Sequence, residues 1–177
     1  FTDPWNDNVP DNLIDGNETL YTNGGVLSND ILPPVKYLLS SGNRMFAISS
    51  EDENSIIYSQ PYLQGEGVNW SNALTIRVDS GTLSDTGKAV ALASMDGKII
   101  VLKSNSILAF AGDGPNQLGE ENNFTDPQLL SANIGCSDPK SVISLPVGVI
   151  FKSPNGIYLL DRSLNTIYIG ADVEDYN

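Results

Sequence analysis

Apolar residues in this chain fall in short runs, each closed by Gly, Pro, Asn, Asp or Ser. No window sustains the 3.6-residue spacing of an amphipathic helix. From Ile31 onward the runs form sets of four: 35–39, 44–48, 55–59 and 74–78, then 89–93, 98–102, 106–110 and 128–132. The third set is 141–145, 149–152, 157–160 and 165–170. β-Branched residues dominate the runs, which predicts strands. Ser41-Gly42-Asn43, Asp96-Gly97 and Pro154-Asn155-Gly156 stand between runs as hairpin turns, where glycine supplies positive φ.

The sets repeat. Gly42, Gly97 and Gly148 fall 55 and 51 residues apart. A period near 50 residues with four strands in each is what a β-propeller blade needs. The fold expected is therefore all-β: β-propeller-type blades of four antiparallel strands, three in this chain and part of a larger propeller. Their bounds are about 31–79, 86–135 and 138–171, after an irregular arm over 1–30 with one short strand at 18–22. The continuous apolar runs 99–102 and 147–151 predict strands covered on both faces. The last run of each set alternates and suits an outer edge. Val101, Leu102, Phe110, Phe151 and Leu159 are the expected inter-blade core. A β-sandwich is the structural alternative.

Composition narrows the function. The chain has 177 residues, 40% of them hydrophobic, enough for a real core. No apolar run reaches the roughly 20 residues of a membrane span. There is no basic n-region or cleavage site, and the chain starts at Phe1, as a processed chain or a segment of a longer one does. Nine Lys and Arg stand against 22 Asp and Glu, for a net charge of −13. That balance argues against sequence-specific DNA binding through a basic patch. With no His and one Cys, an internal disulfide, a cysteine-rich zinc site and histidine catalysis are excluded within the chain.

Candidate chemistry is sparse. Glu51-Asp52-Glu53-Asn54 is the densest acidic cluster, but it lacks the spaced acids of a calcium loop and reads as a hairpin turn. Asp113-Gly114-Pro115-Asn116 and Glu120-Glu121-Asn122 share one long loop, with no partner group marking a paired-carboxylate hydrolase. Ser94-Met95-Asp96-Gly97 reads as a turn. Cys136 has no basic activator and reads as a small packing residue. Trp5, Trp70, Tyr37, Tyr58 and Tyr62 are the material for a sugar platform, against which stands a packing role for Trp70 in a loop before the outer strand. No catalytic residue, cofactor site or metal site is assigned.

The stretch 135–142 and the run 148–163, which contains Phe151-Lys152-Ser153-Pro154-Asn155-Gly156-Ile157-Tyr158, resemble the propeller of tail nozzle, or packaged-DNA stabilisation, proteins of short-tailed phages. The closing 167–174, the pairing of Asn43-Arg44-Met45-Phe46-Ala47 with Ile57-Tyr58-Ser59, and Phe110-Ala111-Gly112-Asp113-Gly114-Pro115 fit the same pattern. The likeness covers about 31–175 and brings no active-site motif. It implies a virion component, not an enzyme, that forms or closes the DNA exit channel. Its partners would be an adaptor and neighbouring nozzle subunits in a homo-oligomer, with DNA only as passing cargo. An acidic wall lets a polyanion slide without sticking, since fewer basic contacts release fewer counterions. On that reading Glu51, Asp52, Glu53, Asp113, Glu120 and Glu121 are the channel-lining candidates. The alternative is a glycan-binding or glycan-cleaving propeller, as in a receptor-binding tail protein; a generic protein-binding scaffold is a third reading.

Overall fold

The computed structural model describes residues 27–79 and 87–171. Trp5 and the expected strand at 18–22 lie outside the described residues. Twelve strands follow in chain order. The first four are β1 (Val35–Ser41), β2 (Arg44–Ser49), β3 (Ser55–Ser59) and β4 (Trp70–Arg77). The next are β5 (Ala89–Met95), β6 (Lys98–Lys103), β7 (Ile107–Ala111) and β8 (Gln128–Ser131). The last are β9 (Ile143–Leu145), β10 (Gly148–Ser153), β11 (Gly156–Asp161) and β12 (Thr166–Tyr168). Each set of four forms one antiparallel sheet in sequential order. The described residues contain no α-helix; a 3₁₀ turn spans Pro139–Ser141. The protein is all-β, built of blade-like sheets.

Local chemistry sets the hairpins. Between β5 and β6 the turn residues Asp96 and Gly97 have φ of 50° and 71°. Two positive φ values in a two-residue loop give the turn whose twist matches the flanking strands. Gly148 is required for a different reason: a Cβ there would meet the Leu160 carbonyl oxygen at 2.1 Å.

Sheet 2 (β5–β8) lies between the other two and buries both faces. Toward sheet 1 (β1–β4) it presents Leu92, Ile99, Val101, Leu108 and Phe110, which meet Phe46, Ile48, Ile56, Tyr58, Leu74 and Val78. Toward sheet 3 (β9–β12) it presents Ala91, Ala93, Ile100, Leu102, Ile107 and Ala109, which meet Val149, Phe151 and Leu160. Cys136, fully buried, sits in this second layer, as a packing residue should.

The sheets stack with strands running the same way. At one end Glu53 joins Lys36 at the start of β1 to Lys88 beside the start of β5. At the other, Ser41 at the end of β1 meets Ser94 near the end of β5, Oγ to Oγ 2.7 Å. Arg162 then ties the turn after β11 to Asp96 in the turn after β5. We call these the first and second ends of the stack.

The structure differs from expectation in three places. Trp70 opens β4, paired with Ser59, rather than sitting in a loop. The run 147–151 is covered on one face only: Val149 and Phe151 are buried, while Val147 is 59% exposed and Ile150 half-buried. Leu159 is likewise half-buried. Both differences have one cause: sheet 3 is the last of the sheets, and among the described residues no further sheet packs on its outer face.

Candidate functional site

A polar cleft of about 380 Å³ lies at the second end, between sheets 1 and 2. It is bordered by Asn43, Arg44, Asp113, Asn116, Glu121 and Phe124, among others. Arg44 opens β2, and the strand register turns its side chain toward sheet 2, where it is 8% exposed. Its guanidinium donates to the main-chain oxygens of Ser59 at 2.8 Å, Asp113 at 2.9 Å, and Pro115. It also lies 5.7 Å from the Tyr58 ring centre and 5.8 Å from that of Phe124. Burial lowers its basicity, and Tyr58 and Asp113 pull partly the other way. Neutral carbonyls and ring faces thus hold a cation that would otherwise be costly to bury.

The long loop over 112–127 is more than a connection. Phe124 leaves it and wedges between the sheets, edge-on to Phe46, Tyr58 and Phe110 at 5.6, 5.0 and 5.5 Å. Gly114 lies so close that a Cβ would meet the Phe124 ring at 2.4 Å. Arg44 and Phe124 therefore fix the loop that carries Asp113, Glu120 and Glu121.

The six acidic candidates divide between the two ends. Asp113, Glu120 and Glu121 lie exposed at the second end, and Asp113 and Glu121 border the cleft. Glu51, Asp52 and Glu53 form the β2–β3 turn at the first end. There the charge is largely matched. Asp52 pairs with Arg77, and Glu53 takes Lys36 on one oxygen at 2.7 Å and Lys88 on the other at 2.8 Å. Hydrogen bonds from those two lysines hold the Glu53 carboxyl at about 2, against an ordinary 4.5. Glu51 is exposed and without an ion pair among the described residues.

The aromatic candidates are not brought together. Tyr58 is buried in the layer facing sheet 2, whereas Trp70 packs with Ala47 and Ile57 on the opposite, outer face of sheet 1. Tyr62 stands exposed. Cys136 is held by burial above its ordinary range, despite donating to the Asp138 carbonyl at 3.2 Å. Among the described residues no His, Cys, Asp or Glu side chains gather in a group able to hold a metal ion.

Sequence reasoning missed Arg44, Phe124 and Lys103. Lys103 ends β6 fully buried and donates from Nζ to the Val78 carbonyl at 2.7 Å, tying sheet 2 to sheet 1. Phe124 had a signal, an aromatic inside the polar stretch Glu120-Glu121-Asn122-Asn123-Phe124-Thr125. Arg44 had one too, a charge at an inward strand position.

No protein-family model matches the chain, and no curated protein sequence matches it.

Proposed function

We propose that this chain is a non-enzymatic structural module of a short-tailed phage tail: a run of propeller-type blades in the nozzle or hub, which helps form or close the DNA exit channel. One observation carries the reading. The organised features at the sheet junctions, Arg44, Lys103 and the Glu53 pairs, spend their charge on main-chain carbonyls and on one another, which is how a scaffold is built. The resemblance over 31–175 supplies the tail. In this role adaptor and neighbouring nozzle subunits are the partners, the virion is the location, and DNA passes without binding. The exposed acids Asp113, Glu120 and Glu121 are the better candidates for an acidic wall, because Asp52 and Glu53 are already neutralised.

The test is a tagged copy of the protein located in purified particles by electron microscopy, with a glycan array and a hydrolase panel run on the same preparation. Label at the tail tip, with no glycan binding and no turnover, is the expected result. Particles lacking the protein, or glycan turnover lost on one Asp or Glu substitution, overturn the proposal.

A further inference from the structure

The exposed large apolar residues are not scattered. Ile31, Leu38, Tyr62, Leu63 and Val68 belong to sheet 1 and its flanking segments. Ile143, Leu145, Val147, Ile167, Tyr168 and Ile169 belong to sheet 3. Among the described residues only Leu118 and Leu129 fall on the middle sheet and its loop. The two outer sheets therefore carry most of the exposed apolar surface, and the register shows how they differ.

Each sheet uses the same strand positions to face the next. Phe46 and Ile56 of sheet 1 face sheet 2, and the matching Ile100 and Ile107 of sheet 2 face sheet 3, all four buried. In sheet 3 those positions are Ile150 and Ile157, both only half-buried. Pairing places Ile143, Ile150, Leu159 and Ile167 in one row across all four strands. An all-aliphatic row on a four-stranded sheet is an interface, and contiguous exposed apolar surface of this kind marks association.

The complementary surface is the part of the outer face of sheet 1 that Trp70, Leu32 and Val35 leave open. There Leu38 is 48% exposed beside buried Ala47 and Ile57. Ser40, Met45, Ser59, Tyr62 and Val68 border a hollow of about 230 Å³ at the second end. That is the end at which the β9–β10 turn projects Val147. At the first end, Lys152 is the charge on the outer face of sheet 3, and Glu51 projects from sheet 1; neither has an ion-pair partner among the described residues. Apolar row meets apolar hollow and Lys152 meets Glu51 when the strands keep their direction.

We propose that the outer face of sheet 3 docks on the outer face of sheet 1 of a second copy of this chain, continuing the sheet stack head to tail. The contact is heterologous. It closes into a two-copy ring if the rotation permits, and otherwise extends into a filament. Each copy carries a net charge of −13. Repulsion between copies makes association stronger as salt rises, because screening shortens its range. The inference does not rest on the tail reading.

The test is sedimentation of the full chain over a concentration series at low and moderate salt. The wild type is expected at twice the 19.0 kDa chain mass or above. The double variant Ile143→Glu, Ile167→Glu and the single variant Leu38→Glu are each expected to be monomers; all three sites are already exposed, so folding is spared. Mixing the two variants pairs an intact sheet 1 with an intact sheet 3 and should restore a heterodimer. A wild type that stays monomeric overturns the proposal. So does an oligomer that Leu38→Glu leaves intact, since that means sheet 3 packs on itself.

Discussion

The two buried junctions share one strand geometry and are filled in opposite ways. Between sheets 1 and 2 the filling is aromatic, with Phe46 and Phe124 in ring contact with each other and each with Tyr58 and Phe110. Cations brace it: Lys103 toward the first end and Arg44 at the second. Between sheets 2 and 3 the filling is aliphatic, with Ala91, Ala93 and Ala109 standing beside Ile100, Leu102 and Ile107, opposite Val149, Phe151 and Leu160. Tyr58 and Ala109 hold the same position in their sheets. The repeat therefore dictates which positions face the neighbour, and volume summed across the gap decides what may stand there. A junction closed by alanines leaves no room for a buried guanidinium; one propped by rings leaves its ends to be sealed by polar groups.

The largest effect should come from emptying the alanine junction. Phe151 is fully buried and is the one ring among the buried residues of that junction, with Tyr158 stacked on it at 6.2 Å. Phe151→Ala should cost about 3–5 kcal/mol, because small neighbours cannot collapse into the space. Denaturant unfolding should show a single transition at a lower midpoint. A loss under about 1 kcal/mol would mean the two sheets close up freely.

The ring junction should respond less, and more locally. Arg44→Met keeps much of the packing but strands the buried Ser59 carbonyl, a cost of about 1–3 kcal/mol. Amide exchange should rise across 112–124, the loop that Arg44 anchors, while β6 and β10 stay protected. If the junctions are independent, the double variant with Phe151→Ala should be additive within about 0.5 kcal/mol. A larger coupling would mean sheet 2 transmits strain from one face to the other.

The Asp96-Gly97 hairpin belongs to both junctions, since sheet 2 contributes to each. Gly97→Val places a β-branched residue at φ of 71° and should cost about 1–3 kcal/mol. Gly97→Asn should cost much less, because Asn tolerates that region. Equal losses for the two variants would show that something other than backbone conformation limits this turn.

Strands and turns were legible because each depends on its own few residues. The turn glycines, the 55–59 strand and the 112–127 loop stand where the apolar runs and breakers place them. What stayed hidden depends on partners far away in sequence. Trp70 reads as a loop aromatic until Ser59 pairs with it. Arg44 reads only as the charged first residue of a strand until the loop 69 to 71 residues further on brings carbonyls to it. The run 147–151 looks like a doubly covered strand because the repeat prepares it for a neighbour on each face, and sequence pattern records that preparation rather than occupancy. The acidic candidates were legible as turns, but their division between two ends required knowing that β1 and β5 run in the same direction.

The smallest effect should be a charge effect confined to the first junction. Glu53 receives Lys36 from sheet 1 and Lys88 from beside sheet 2, so its carboxylate bridges the pair. Its folded-state value of about 2 lies below the ordinary 4.5, so the folded state favours the ionised form. The stabilisation is fully present above about 4.5, fades as pH falls, and is gone once pH drops through about 2. All three side chains keep substantial contact with water, so the gain is screened to less than about 1 kcal/mol. Glu53→Gln should therefore be slightly less stable than wild type near neutral pH, and the gap should narrow between pH 4.5 and 2. Added salt should narrow it as well. The matching pair between sheets 2 and 3, Asp96 with Arg162, should give the same sign on Asp96→Asn, since Arg162 also holds that carboxyl low. Its effect should be weaker, because one arginine rather than two lysines holds the carboxylate. A Glu53→Gln deficit that persists unchanged at pH 2 would show that shape, not charge, is what Glu53 contributes to the ring junction.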